Sequence, residues 1–281
     1  MLKENNLYSM AFAKTPGDGA VGGIKDEHTK EHFATRFPTS SARIQAVLLD
    51  PWSELGAASD VLLTSFSGGR IGLLDIPCGA CASSISLLAT LAALRESGVV
   101  PRQPLYVWIL SADISDLARS YASILMDKVR DSLEKQGIHV HQRFESWDVQ
   151  DSLSNTALID AWIRWIDDCD ERFVLVTNFS DFLGDDTRFK RAEERLGEVF
   201  RWASMRQAKV LWVEPQTTKA SRFLDKLISW FQNKVPRLIR KDISTHADGA
   251  LQTKVNYMHP ITKLGTTRVR SSVIRLEVGE N

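Results

Sequence analysis

The sequence has few cysteines, no surplus of either charge and no long apolar run, and each lack narrows what the chain can be. Cys78, Cys81 and Cys169 are the only thiols in 281 residues, too few for the disulfide framework of a small secreted domain. Lys plus Arg number 35 and Asp plus Glu also 35, so no net field draws the chain to nucleic acid or an anionic membrane. No stretch approaches the roughly 20 apolar residues that span a bilayer. Near the start, the short apolar stretch Leu7 to Ala13 follows mixed charges at Lys3 and Glu4, a poor secretory signal. The expectation is a soluble protein of a reducing compartment, the cytoplasm. With 43% hydrophobic and 25% charged residues, it can bury the core of one large domain, or of one domain with an extension.

What is present is organised around Ile71 to Ala89. A short apolar run, Ile71-Gly72-Leu73-Leu74, ends in the acid Asp75. The tight small-residue turn Pro77-Cys78-Gly79-Ala80-Cys81 follows, and then a helix with Ser83 and Ser84 in its first turn. Strand, glycine turn and helix bring backbone amides close to a ligand at a helix N-terminus. These residues resemble motif I of the class I S-adenosylmethionine-dependent methyltransferases, written (D/E)-x-G-x-G-x-G. Asp75 and Gly79 stand at the acid and the central glycine. Pro77 replaces the first glycine, as in many members, and Cys81 replaces the last, which is less usual.

The following segments keep the order that this resemblance implies. Leu105 to Leu110 is continuously apolar, as a buried parallel strand is, and leads to Asp113. A carboxylate just beyond a second strand can accept both hydroxyls of a ribose, and Asp113 or Ser115 can also cap the helix from Asp116 to Lys135. Asp113-Ile114-Ser115 resembles the end of motif II. Ile138 to Phe144 alternates as a third strand. After it, Asp148 and Val149 stand where motif III places a group for the adenine amine and an apolar neighbour. Trp147 could stack on the adenine or simply pack. A fourth strand, Phe173 to Thr177, runs into Asn178-Phe-Ser-Asp-Phe-Leu-Gly184, the place of motif IV. Asn178, Ser180 and Asp181 are polar groups that could orient or deprotonate an acceptor, and Asn178 and Asp181 are the candidates for catalysis. Neither the Asn-Pro-Pro-Tyr/Phe signature of amino-directed DNA enzymes nor the Pro-Cys pair of cytosine C5 enzymes is present. A fifth strand, Lys209 to Val213, ends at Glu214-Pro215 and is followed by a helix from Thr217 to Phe231. Five strand–helix units predict a doubly wound, mostly parallel α/β sheet with helices on both faces. The resemblance implies seven strands, with an antiparallel strand near the C-terminus.

Around this core, residues 1–30 read as a flexible arm, punctuated with turn formers from Lys14 to Gly23. Its Tyr8 and Phe12 could close over a substrate. Residues 31–69 read as a helical extension, with Ser40 or Ser41 capping one helix and Ser53 a second after Pro51. Arg36 and Trp52 could line a pocket there, or serve as an ion-pair partner and a core anchor. Residues 70–281 form the Rossmann-like domain. His139 and His141 lie two apart on one strand face, with no further ligand cluster to make a metal site. In the tail, Leu251 to Met258 and Val269 to Val278 read as strands among basic residues from Lys234 through Lys263 to Arg275. These could track an RNA backbone or be a charged sheet edge.

Methyl transfer from S-adenosylmethionine is the reading the resemblance implies, with Asp75, Pro77, Cys78, Gly79, Asp113, Ile114, Asp148, Val149 and Asn178 around the cofactor. The acceptor is unidentified, a small molecule being favoured over RNA or protein. Two alternatives stand beside it. The fold could serve as a binding module without catalysis, because a side chain at Cys81 could crowd the cofactor. Cys78-Gly-Ala-Cys81 at a helix N-terminus is also a thiol-redox arrangement.

Overall fold

The structure, a computed structural model, describes residues 1–12, 25–241, 249–261 and 266–279. The first elements are α1 (Tyr8–Phe12), α2 (Asp26–Leu49) and α3 (Ala57–Ser65). The alternating core follows: β1 (Gly69–Asp75), α4 (Ala82–Glu96), β2 (Leu105–Asp113), α5 (Asp116–Glu134), β3 (Ile138–Ser146), α6 (Ser152–Trp165) and β4 (Glu171–Thr177). After β4 come α7 (Ser180–Leu183), α8 (Asp186–Met205), β5 (Lys209–Pro215) and α9 (Thr218–Lys234). The chain closes with β6 (Leu238–Arg240), β7 (Leu251–Met258) and β8 (Thr266–Val278).

The strands form one sheet in the order β3-β2-β1-β4-β5-β8-β6, with β7 paired to β8 off that path. β1 to β5 are mutually parallel, and β8 runs antiparallel to β5, β6 and β7. The order reverses between β1 and β4, which opens a crevice beyond the carboxyl ends of those two strands. The expected doubly wound sheet is therefore observed. The tail adds one feature that alternation did not reveal. Leu238–Arg240 pair with the end of β8 and Leu251–Met258 with its beginning, so β6 and β7 share one side of β8. Three residues are too few for a periodic signal, so β6 was not legible.

β1, β2, β4 and β5 are apolar on both sides because helices cover both faces, whereas the edge strand β3 alternates. Ile71, Leu73, Phe173, Leu175 and Leu211 pack towards α2, α3, α4 and α5. Leu74, Val174, Val176 and Trp212 pack towards α6, α8 and α9. Burying each such side chain is worth ~1.5–3 kcal/mol, which explains why their sequence pattern is continuous rather than alternating. Gly72 has a steric reason: a Cβ there would sit 2.8 Å from the carbonyl oxygen of Ile166.

The N-terminal helices depart from expectation. A helix beginning at Ser40 or Ser41 is replaced by one that starts at Asp26 and carries Pro38 inside it. An interior proline costs ~3 kcal/mol. Burial of Phe33 and Ala34 before it, and of Ile44, Val47 and Leu48 after it, offsets that cost. The helix stops at Asp50, which adopts φ 35° and whose carboxylate accepts the N–H groups of Glu54, Leu55 and Gly56 at 2.9 Å each. The stretch from Lys14 to Gly23, the loop residue Lys263 and their expected roles lie outside the described residues. Among the described residues no helix is long and apolar enough to cross a membrane.

Candidate functional site

A cavity of about 230 Å³ lies at the crevice between β1 and β4. Its floor is the turn after β1, entered through a cis peptide bond at Ile76–Pro77. The Cys78 N–H donates to Ala112 O (2.9 Å), and the Gly79 N–H to Asp113 Oδ2 (2.9 Å), so the turn is stitched to the end of β2. Gly79 takes φ 51°, and nothing lies within 4 Å of where its Cβ would be, so the backbone there faces open space. The helix that follows, α4, has no side-chain cap at Cys81; within its first turn the Ser84 amide is taken by the Asp75 carboxylate.

Cys81, the N-cap of α4, takes φ 56°, a left-handed conformation natural to glycine. Its side chain is fully buried and points away from the cavity, to Ser111 Oγ (3.3 Å) and Gln142 Nε2 (3.5 Å). The substitution of glycine by cysteine therefore does not crowd the floor. Burial pushes the Cys78 thiol well above its ordinary range, and all three cysteines are free and buried. A redox pair needs an accessible thiol of lowered pKa, which this is not.

Pro77, Cys78, Gly79, Asp113, Ile114, Asp148, Val149, Asn178 and Asp181 all line this cavity. Asp75 does not. It sits behind the turn, fully buried, and accepts the Ser83 hydroxyl on both oxygens at 2.9 Å. Burial raises its pKa to about 7. Asp113 is buried, with Oδ1 accepting the Ser115 N–H at 2.9 Å. Burial raises its pKa, while the Ser115 and Gly79 amides oppose the rise. The Ser115 hydroxyl meanwhile caps α5, so the carboxylate is left to the cavity and the cap to the serine. Asp148 turns its Oδ1 to the Gln150 N–H. Trp147 forms part of the wall, but its Nε1 donates to buried Asn155 (3.2 Å) and its ring packs on Phe179.

Of the opposite wall the sequence pointed only to Arg36, as a pocket residue or an ion-pair partner, and it is both. Thr29, His32, Phe33, Arg36, Phe37 and Ser40 of α2 line the cavity, a single helix face recurring every three or four residues. Thr29 fixes this helix to the site through a hydrogen bond with Ser115 (2.9 Å). Arg36 pairs with Asp181 Oδ2 at 2.8 Å. Arg43 Nη1 donates to Asn178 Oδ1 at 2.8 Å, and Asn178 Nδ2 donates to Ser40 Oγ at 3.2 Å. Burial lowers the Arg43 pKa to about 10, although the charge of Glu214 opposes the change. Glu214, at the end of β5, is fully buried and accepts the Phe179 and Ser180 N–H groups, the Ser180 hydroxyl and the Trp212 indole. Burial nevertheless raises its pKa to about 7. It fixes the backbone that presents Asn178 and Asp181. An acid ending an apolar strand, as at Asp75, was the signal that could have found it.

His32 is half-buried on this wall, and burial first, then the Arg36 charge, lower its pKa to about 4. The imidazole is therefore neutral near pH 7. Tyr8, Phe12 and Trp52 are exposed and do not line the cavity. His139 and His141 stack on Tyr106 and Trp108 at 5.0 and 4.9 Å. No group of three or more metal-ligating side chains occurs among the described residues.

No known family profile matches the chain, and neither does any curated protein. Solved structures do. A SAM-dependent methyltransferase from Aquifex aeolicus is 11% identical, covers 85% of this chain and 98% of its own, and has a TM-score of 0.37. An rRNA methylase from Streptococcus thermophilus is 13% identical, covers 79% and 95%, and scores 0.34. A SAM-dependent O-methyltransferase from Thermotoga maritima is 10% identical, covers 79% and 65%, and scores 0.37. Likenesses this weak assign no activity to the chain.

Proposed function

We propose that the chain is an S-adenosylmethionine-dependent methyltransferase acting on a small-molecule acceptor. One observation carries this reading: groups following four successive parallel strands meet in one cavity at the point where strand order reverses. The nicotinamide-dinucleotide order is 3-2-1-4-5-6, and here an antiparallel strand, β8, stands between β5 and β6. That favours the methyltransferase arrangement over a dehydrogenase one. Asp113 would accept the ribose hydroxyls, and Ile114 and Val149 would flank the adenine, with Asp148 beside its amine. Pro77, Cys78 and Gly79, in the turn before α4, would hold the amino-acid end. When bound, the cofactor supplies an already activated methyl group, so the protein chiefly positions the acceptor. Asn178 and Asp181 are held for that task by Arg43 and Arg36.

A small acceptor is favoured because α2 crosses the cavity and ties itself to the far wall through the Arg36–Asp181 pair. In the tail, Arg275 has its counter-charge beside it, Glu277 at 2.8 Å. Isothermal titration with S-adenosylmethionine and S-adenosylhomocysteine tests the reading. Micromolar binding by the wild type that Asp113→Ala abolishes supports it, and absence of binding to the wild type overturns it.

A further inference from the structure

We propose that the space between α2 and the β4–α7 turn is a slot for a flat aromatic molecule bearing a hydroxyl group, and that His32 accepts the proton of that hydroxyl. The inference rests on the methyltransferase reading for its chemistry and on the geometry of this wall for its ligand. Phe33 and Phe37 project from α2 with ring centroids 5.4 Å apart. Phe179 and Phe182 stack 5.6 Å apart on the other side. All four line the cavity, so its lining offers aromatic surface from α2 and from the β4–α7 turn.

The polar groups of the slot narrow the ligand further. Arg36 is neutralised by Asp181, and Arg43 lies behind the lining with its Nη1 committed to Asn178. Among the described residues that line the cavity no cation is left over for a carboxylate or phosphate, which disfavours an anionic polymer. His32 has no hydrogen-bond partner among the described residues, although it lines the slot and sits within the fields of Arg36, Arg43 and Asp181. Those two cations, together with burial, keep the imidazole uncharged, so it offers a lone pair. The complementary ligand group is an O–H donor on an otherwise apolar ring.

The proton balance suits a weakly basic imidazole. The hydroxyl oxygen attacks the sulfonium methyl, the new O–C bond forms as the C–S bond breaks, and that bond's electron pair stays on sulfur. The attacking oxygen gains positive charge as it does so, and its proton becomes strongly acidic. It passes to a ring nitrogen of His32 and from there to solvent. A base of low pKa is sufficient because the proton is released late.

The test compares binding of 2-naphthol and naphthalene, the same ring system with and without the hydroxyl. Both are titrated into the full-length protein, with and without S-adenosylhomocysteine. The expected result is a preference of about tenfold or more for 2-naphthol, since a buried acceptor left unpaired is costly. His32→Phe is expected to erase the preference without changing S-adenosylhomocysteine affinity, and His32→Gln, which keeps an acceptor, to restore part of it. Equal binding of the two ligands by the wild type, or an intact preference in His32→Phe, overturns the assignment. So does displacement of bound 2-naphthol by a short mixed-sequence RNA. If the wild type shows the preference but binds no S-adenosylhomocysteine, the slot stands and the methyltransferase reading falls.

Discussion

The two walls of the cavity are built in different ways. The wall at β1, β2 and β3 consists of strand ends and the turns that leave them, fixed by backbone hydrogen bonds such as Gly79 N–H to Asp113 and Cys78 N–H to Ala112. The wall at α2 consists of side chains on a helix outside the sheet. It is held by side-chain bonds across long sequence separations: Thr29 to Ser115, Arg36 to Asp181 and Arg43 to Asn178. The first is a rigid receptor that the fold produces almost by itself. The second is a helix seated by the burial of Phe33, Ile44 and Val47, whose cavity face is linked to the sheet by a few polar contacts.

Substitutions can break or sharpen that contrast. Asp113→Ala removes the acceptor of the Gly79 amide and, on the proposed reading, the acceptor of the ribose hydroxyls. With about 1.5–3 kcal/mol for each charge-assisted bond, affinity for S-adenosylhomocysteine is expected to fall on the order of 100-fold in isothermal titration. Arg43→Ala acts on the other wall. It leaves Asn178 Oδ1 without its donor and takes a positive charge from the neighbourhood of Glu214. Urea unfolding is expected to show a loss of ~1–3 kcal/mol with little change in cofactor affinity. Equal damage to both would show the two walls to be one unit.

A pH series examines the buried acid behind the rigid wall. Asp75 has a folded pKa of about 7 against an ordinary value of 3.8. The folded protein therefore retains a proton that the unfolded chain releases from about pH 4 upward. Its contribution to stability is complete below that point and is lost as pH rises through 7. Asp75→Asn cannot titrate, so the Tm difference, variant minus wild type, should shift in the positive direction from pH 5 to pH 8. A constant difference would mean that Asp75 ionises normally. The smallest effect is expected at Arg36→Ala. Its pair with Asp181 is partly exposed, 28% and 45%, and is worth ~0.2–1 kcal/mol. The loss should be smaller still at high salt.

The same contrast separates what was legible in the sequence from what was not. The sheet could be read because four of its strands are nearly continuous apolar runs, each followed by a turn with a polar group. Position in that series is what placed Asp113, Asp148 and Asn178 at one end of the sheet. Asp75 shows the limit of such reading: its motif position suggested the ligand, and its side chain serves the turn instead. Nothing local marks His32, Arg36 or Arg43 as neighbours of Asp181 and Asn178. They meet only because α2 continues unbroken through Pro38 and lies back across the sheet, which depends on the burial of Phe33, Ile44 and Val47 in tertiary contacts. A helix start inferred at Ser40 would have cut that face in two.

The place of β8 in the sheet has a consequence for timing during synthesis. The strand that lies between β5 and β6 is formed by residues 266–278, so the sheet cannot close until they have left the ribosome. Its partner β7 reaches the N-terminal extension, where the Tyr257 hydroxyl meets Thr39 at 3.1 Å. The helix that roofs the cavity precedes the whole sheet in the chain, yet it gains this anchor from a residue 218 positions later. A growing chain can thus have the rigid wall in place while its roof still lacks that tie, and the pocket is completed only once β7 has emerged.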